Sequence, residues 1–228
     1  MRILGIETSC DDTAVAVVDE SGLVLSSVIS SQDSFHRKYD GIVPEIASRR
    51  HTATIIACVD EALLQAGLRI GDVDGIAVTY GPGLIGSLLV GVETAKGLAL
   101  ASGKPLIGIN HLEGHILASF LQDAGAESTP LNADDFPVLA LIVSGGHTEL
   151  VYVDRWLHYE VLGATRDDAA GETLDKFAKY LGLGYPGGPV IQRVGAAGDA
   201  SFHAFPRVTF GKGGYEFSFS GLKTAGIN

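Results

Sequence analysis

The sequence predicts an α/β protein of two lobes, on three observations. Strand-like and helix-like stretches alternate along the chain, the pattern of a sheet flanked by helices. Thirty of the 228 residues are glycine, too many for a helical bundle but suited to tight strand-to-helix turns and close backbone approaches. A strand, a small polar turn and a second strand open the chain, and the same unit returns from Val138 onward. This reads as an internal duplication, giving lobes 1–133 and 134–228, each offering a hairpin turn to a phosphate-sized ligand.

In order along the chain, Ile3 to Glu7 reads as a buried strand, Thr8 to Thr13 as a polar turn and Ala14 to Val18 as a second strand. Ser21-Gly22 turns the chain into a third β-rich run, Leu23 to Ile29. A long helix is bounded by Pro44 and Gly67, the expected punctuation at a helix's first turn and just past its last. A short strand Ile76 to Thr79 precedes Gly81-Pro82-Gly83, which opens a helix ending near Gly103. Pro105 to Ile109 is a strand, His111 to Leu121 a helix, and residues 123–136 an acidic, small and polar linker. In the second half, Val138 to Val143 is a strand, Ser144 to Thr148 a turn, Leu150 to Val153 a strand and Glu172 to Leu181 a helix. Irregular glycine-rich sequence follows, and the second lobe reads as incomplete.

Composition narrows the function classes. Apolar residues make up 46% and charged ones 19%, ample for a sizeable core. A formal net charge of −11 argues against this surface gripping nucleic acid unaided, because phosphate contacts need clustered Lys and Arg. The two cysteines, Cys10 and Cys58, make no disulfide framework and read as packing residues. No secretory signal is legible at the start. The apolar stretch Leu84 to Leu100 is interrupted by Glu93 and Lys96, so no membrane span is expected and a cytoplasmic protein is.

The sharpest local signal is His111-Leu112-Glu113-Gly114-His115. Histidines at i and i+4 share one helical face and can share a metal ion; they also suit a solvated or core-capping pair. Glu113 lies about 200° around the helix from His111, which argues against zincin-type proteolysis. Ile142-Val143-Ser144-Gly145-Gly146 ends a buried strand in a turn whose amides can hold an anion or simply close a hairpin. Gly81-Pro82-Gly83 suits an anion site less than a plain helix start. Acids between Asp167 and Glu172 complement a helix dipole, whereas Asp175, a turn further in, suits the hydroxyls of a ribose. Tyr185-Pro186-Gly187-Gly188-Pro189 reads as a rigid turn allowing close backbone approach. Glu7, ending the first strand, suits orienting water or metal, or capping the turn. His36-Arg37-Lys38 and Arg49-Arg50-His51 are the compact basic clusters, suited to a solvated helix face more than to contact with tRNA or an acidic partner.

Taken in register, Gly5 to Asp12, Val43 to Arg49, Gly81 to Leu84, the His111/His115 pair, Val143 to Thr148, Asp167 to Glu172, Tyr185 to Pro189 and Phe217 to Lys223 resemble the TsaD family. The resemblance implies an actin-like ATPase fold (ASKHA, ribonuclease H-like) of duplicated lobes. It implies transfer of a threonylcarbamoyl group from threonylcarbamoyl-AMP to N6 of the adenosine 3′ of the anticodon, in tRNAs reading codons that begin with A. By position, His111 and His115 would bind one divalent metal, iron (Fe2+) or zinc. Ile142, Val143, Ser144, Gly145, Gly146, Asp175 and Gly188 would bind the adenylate. TsaB-like and TsaE-like partners are implied, with no membrane.

Two departures stand beside this resemblance. The family's third metal ligand, an Asp, and a nucleotide-binding Asn belong to a C-terminal stretch that this sequence does not contain, and Gln192 stands where many members carry an acid. The rival readings are a metallo-glycoprotease, a non-catalytic TsaB-like scaffold, whose length fits, and a sugar or acetate kinase. The displaced Glu113 argues against the first, and the His pair and the Ser-Gly-Gly-His-Thr turn argue against the second. The third would need phosphate-2 and adenosine segments that this sequence does not show, and would have no use for a His pair.

Overall fold

The structure, a computed structural model, describes residues 1–123, 131–208, 210–211 and 214–227. It divides into two compact units, one of Met1–Phe35 with Ile42–Leu131, the other of His36–Gly41 with Asn132–Asn228.

The first unit runs β1 (Arg2–Glu7), β2 (Thr13–Asp19), β3 (Leu23–Ser30), the short α1 (Asp33–His36) up to its last residue, which belongs to the second unit, α2 (Pro44–Gln65), β4 (Gly75–Gly81), α3 (Ile85–Ser102), β5 (Leu106–Asn110), α4 (His111–Leu117) and β6 (Gln122–Asp123). Its sheet has the order β5-β4-β1-β2-β3-β6. β1 pairs antiparallel with β2 but parallel with β4, and β4 is parallel to β5. The C-terminal ends of β1, β4 and β5 therefore share one edge, where ligands of α/β sheets gather.

One sheet face and one helix stripe make the core. Leu4, Ile6, Val15, Val17, Ile76 and Val78 are buried with Ile55, Val59 and Ala62 of α2. Alternation along each strand places these apolar side chains on the helix-covered face. Buried α2 positions Ala47, His51, Ile55, Cys58, Val59, Ala62 and Leu63 recur at the spacing of one helical face. α3 is long and apolar enough to cross a membrane by length and composition alone. It packs against α2 and β4, and its Glu93 and Lys96 pair at 2.7 Å.

The second unit contains the antiparallel meander β7 (Val138–Val143), β8 (Thr148–Arg155) and β9 (His158–Ala164), then α5 (Ala170–Tyr180), α6 (Gly187–Gly195) and α7 (Ser220–Ile227). Its hairpin repeats β1–β2: Val138 to Val143 pair with Val153 to Thr148 as Arg2 to Glu7 pair with Asp19 to Ala14.

Several sequence expectations are corrected. The glycine-rich second half holds β9, α6 and α7, none of them anticipated. The rigid turn expected through Pro189 ends at Pro186, the N-cap of α6. The helix from His111 stops at Leu117, and Ala118–Phe120 tighten into a 3-10 turn. Of the linker 123–136, residues 124–130 lie outside the described residues; Asp123 pairs with β3, and Ala133–Asp135 form a 3-10 turn.

Candidate functional site

Strand order assembles the first cluster. Ile6 of β1 sits beside Val78 of β4, and Thr79 beside Ile109 of β5. Glu7 ends β1, Thr79 stands two residues before the end of the parallel β4, and His111 follows β5 as the first residue of α4. Asn110 caps α4, its side chain accepting from the amides of Leu112 at 2.9 Å and Glu113 at 3.3 Å. This cap starts the helix with His111 at its first position.

The geometry is close. His111 Nδ1 lies 2.9 Å from Glu7 Oε2 and 3.1 Å from Ser9 Oγ. Thr79 Oγ1 donates to the same Glu7 oxygen at 2.6 Å, and the Ser9 amide donates to Glu7 Oε1. Burial alone would raise the Glu7 carboxyl, but hydrogen bonds from His111, Ser9 and Thr79 outweigh it and hold the pKa down at about 2. The ring's other nitrogen, His111 Nε2, is 3.1 Å from His115 Nε2. That separation lets both nitrogens bind one cation with bonds of about 2.1 Å, so the pair fits the metal ion that the sequence implies. Among the described residues no set of three His, Cys, Asp or Glu side chains forms a cage, so the pair offers two ligands.

The β1–β2 turn is held rigidly against α2 and α3. Thr8 Oγ1 donates to the Ser87 carbonyl at 2.8 Å, and the Leu84 amide donates to the Ser9 carbonyl at 2.7 Å. From α2, His51 Nε2 donates to the Cys10 carbonyl at 3.0 Å, and His51 Nδ1 meets Thr13 Oγ1 at 2.8 Å. The carbonyl can only accept, so the ring proton sits on Nε2 and Thr13 is the donor to Nδ1. His36 and His51 are both fully buried. That corrects the reading of them as parts of solvent-facing basic clusters: His51 is internal structure, and its place in the α2 stripe with Ala47 and Ile55 was the available signal. Cys10 is pushed up to about 12, chiefly by burial and then by Asp11.

In the second unit the Ser144–Gly146 turn is largely self-satisfied. Ser144 Oγ accepts from the amides of Gly146 at 3.3 Å and His147 at 3.0 Å, and the Ser144 amide donates to the His147 carbonyl at 2.8 Å. An anion there would take amides now given to Ser144. Ile142 is buried and Val143 is exposed. The turn abuts the start of α5, where the Gly171 amide donates to the Ser144 carbonyl at 3.1 Å.

A turn along α5, Asp175 Oδ1 accepts from the Gly187 amide at 2.7 Å, next to Gly188. Burial raises the Asp175 carboxyl. The structure thus brings Asp175 and Gly188 together and joins them to the Ser144 turn through α5. The neighbouring acids are structural. Asp168 pairs with Lys176 at 2.7 Å and with Lys223, and Asp167 accepts from Ser218, Phe219 and Ser220 ahead of α7.

A sheet with a parallel C-terminal edge, a repeated hairpin and helices flanking the first sheet define an α/β protein of the actin-like class. The fold matches component A of (R)-2-hydroxyglutaryl-CoA dehydratase from Acidaminococcus fermentans, with a TM-score of 0.53 and 14% identity over all of this chain and 67% of that one. The family model "TsaD: tRNA N6-adenosine threonylcarbamoyltransferase" matches residues 23–228, and the chain belongs to that family. Relatives of the same name include one from Desulfitobacterium hafniense, 54% identical, and one from Caldicellulosiruptor bescii, 53% identical, each over all of this chain. The chain spans 64% and 65% of those relatives' lengths.

Proposed function

We propose that this chain supplies the metal-binding and adenylate-binding part of a threonylcarbamoyltransferase acting on tRNA. The observation that carries this is the convergence of His111 and His115 Nε2 at 3.1 Å in a TsaD-family chain. In the reaction, N6 of the adenosine 3′ of the anticodon forms a bond to the carbamoyl carbon, and the carbon–oxygen bond to the AMP phosphate breaks. N6 loses a proton and AMP leaves.

His111 and His115 hold one divalent ion, iron or zinc, which supplies Lewis acidity and a template for the threonylcarbamoyl group when bound. Ile142 to Gly146 bind the adenylate through the Ser144 turn, Asp175 takes ribose hydroxyls and Gly188 lets the backbone approach closely. The net charge of −11 gives tRNA little to hold, so TsaB-like and TsaE-like proteins assist, in the cytoplasm.

The test is zinc and iron titration by calorimetry on this chain and on a His111→Ala/His115→Ala variant, with threonylcarbamoyl-AMP titrated alongside. One ion per wild-type chain, lost in the variant, together with adenylate binding that Asp175→Asn weakens, is the expected result. Equal metal uptake by both proteins, or none by either, overturns the metal assignment and favours a scaffold role.

A further inference from the structure

We infer that Glu7 is the positioning residue for the candidate metal site: its carboxylate fixes the His111 ring so that Nε2 is presented as a lone pair toward His115. The inference rests on the reading of His111 and His115 as ligands, and it adds a residue from the end of β1, 104 positions away from His111.

The carboxylate is committed on both oxygens. Oε1 accepts from the Ser9 amide, and Oε2 accepts from Thr79 Oγ1 at 2.6 Å and faces His111 Nδ1 at 2.9 Å. A carboxylate with its lone pairs turned toward these three groups accepts from the imidazole; it does not sit on the ring's far side as a ligand. An ionised carboxylate has no proton to give, so the proton between it and the ring belongs to Nδ1. In the neutral imidazole that leaves Nε2 unprotonated, the form a metal requires, and Nε2 is the nitrogen that meets His115 Nε2 at 3.1 Å. Ligating histidines generally have their second nitrogen held in this way by a carboxylate or carbonyl, which orients the ring and raises its basicity.

The surroundings keep Glu7 in place. Its side chain is 31% exposed and that of His111 is 21% exposed, so water competes weakly for the contact. Thr79 stands on the neighbouring parallel strand, and the turn bearing Ser9 is itself clamped by the Leu84 amide and by His51 through Cys10. One partner of the carboxylate is thus a main-chain amide in a clamped turn, and the other two are short-reach side chains on β4 and at the first position of α4.

Glu7→Gln is the decisive variant because it keeps shape and volume. The amide retains one accepting oxygen for donors that now use two, and its NH2 group, turned to His111, donates to Nδ1 and drives the proton to Nε2. Two measurements read this: the ring 15N shifts of His111 in metal-free protein, which report the tautomer, and zinc affinity by competition with a chromophoric chelator. Expected are an Nδ1–H tautomer in the wild type, a switch to Nε2–H in Glu7→Gln, and a loss of zinc affinity of roughly 10–100-fold with an unchanged circular dichroism spectrum. Thr79→Val, which removes one donor but leaves the carboxylate, is expected to lose no more than about a third of that effect on a logarithmic scale.

An unswitched tautomer with zinc affinity within about twofold of wild type overturns the inference. A wild-type chain that takes no zinc, with the tautomer still switched by Glu7→Gln, instead overturns the metal reading while the hold of Glu7 on the ring stands.

Discussion

In the first unit the connection between β1 and β2 is closed by groups from elsewhere: Ser87 and the Leu84 amide beside α3, and His51 from α2. In the second unit the corresponding connection between β7 and β8 takes one clamp from α5, the Gly171 amide on the Ser144 carbonyl, and is otherwise closed by Ser144 itself, whose hydroxyl takes the Gly146 and His147 amides. The strand registers are alike, yet one turn is a rigid mount for side chains and the other a loop of exposed backbone. A side-chain site such as Glu7 and His111 needs its atoms fixed to within fractions of an ångström, and contacts from several elements provide that. A backbone site needs amides that can exchange one acceptor for another, and a hydroxyl within the same turn is an acceptor that a stronger anion displaces.

The largest effect that breaks this contrast is expected at Gly83. A Cβ there would press on the Ser9 carbonyl and lie 2.8 Å from Ser9 Cβ and 3.0 Å from its Cα. These are main-chain and short side-chain neighbours with no free rotor to move aside. Gly83→Ala is expected to cost about 1–3 kcal/mol in urea unfolding and to displace Ser9, loosening the Glu7–His111 contact. In the second unit Gly171→Ala meets the Ser144 carbonyl oxygen at 2.6 Å and is expected to destabilise comparably. The discriminating readout is the His111 ring 15N signal, which moves with Gly83→Ala and stays with Gly171→Ala; a shift in both would abolish the contrast.

A smaller effect is expected at Ser144. Ser144→Ala removes the acceptor for two amides at a turn whose glycines are exposed, so water replaces the hydroxyl and the loss is about 1 kcal/mol or less. Amide hydrogen exchange at Gly146 and His147 is expected to accelerate by several-fold while Thr148, in the ladder of β8, is unchanged. Unchanged exchange at Gly146 and His147 would show that the hydroxyl does not close this turn.

How much of this was legible in the sequence depends on how locally each feature is determined. The two opening hairpins, the long helix between Pro44 and Gly67, and the i, i+4 histidines carry their own signals, and β1, β7, α2 and α4 follow them. β9 was missed because Glu160 and Gly163 interrupt its apolar run, and its pairing partner β8 supplies the order instead. α6 begins Gly-Gly-Pro and reads as a turn, but Asp175 accepts its first amide and anchors the start. α7 carries Gly221 and Gly226, poor helix formers, and is secured by Asp167 from 53 residues away. At the candidate site, the histidine pair is local, whereas two of the three partners of Glu7 come from 72 and 104 residues away. No periodicity encodes such a contact; only the parallel pairing of β1, β4 and β5 does.

The smallest effect concerns the carboxylate that sharpens the comparison from the other side, Asp167. Like Glu7 it gathers several donors, accepting from Ser218 Oγ at 2.5 Å, Ser220 Oγ at 2.6 Å and the Phe219 amide at 2.7 Å. Unlike Glu7 it is exposed and serves a helix start. Burial alone would raise its carboxyl, but the hydrogen bonds from Ser218, Ser220 and the Phe219 amide together outweigh it and hold the group well below the usual carboxylate range. A group whose folded pKa is depressed stabilises the fold above its unfolded value, near 3.9, and that contribution is lost as pH falls further. Solvent screening keeps it modest. Protection of the α7 amides against hydrogen exchange, corrected for the intrinsic rate, is therefore expected to hold from pH 7 to about pH 4 and to decline below it. In Asp167→Asn the protection is expected to be lower throughout and flat over the same range, because the amide offers one accepting oxygen and no charge. A wild-type profile as flat as the variant's would mean that Asp167 caps α7 by shape alone, and its likeness to Glu7 would end at the hydrogen-bond count.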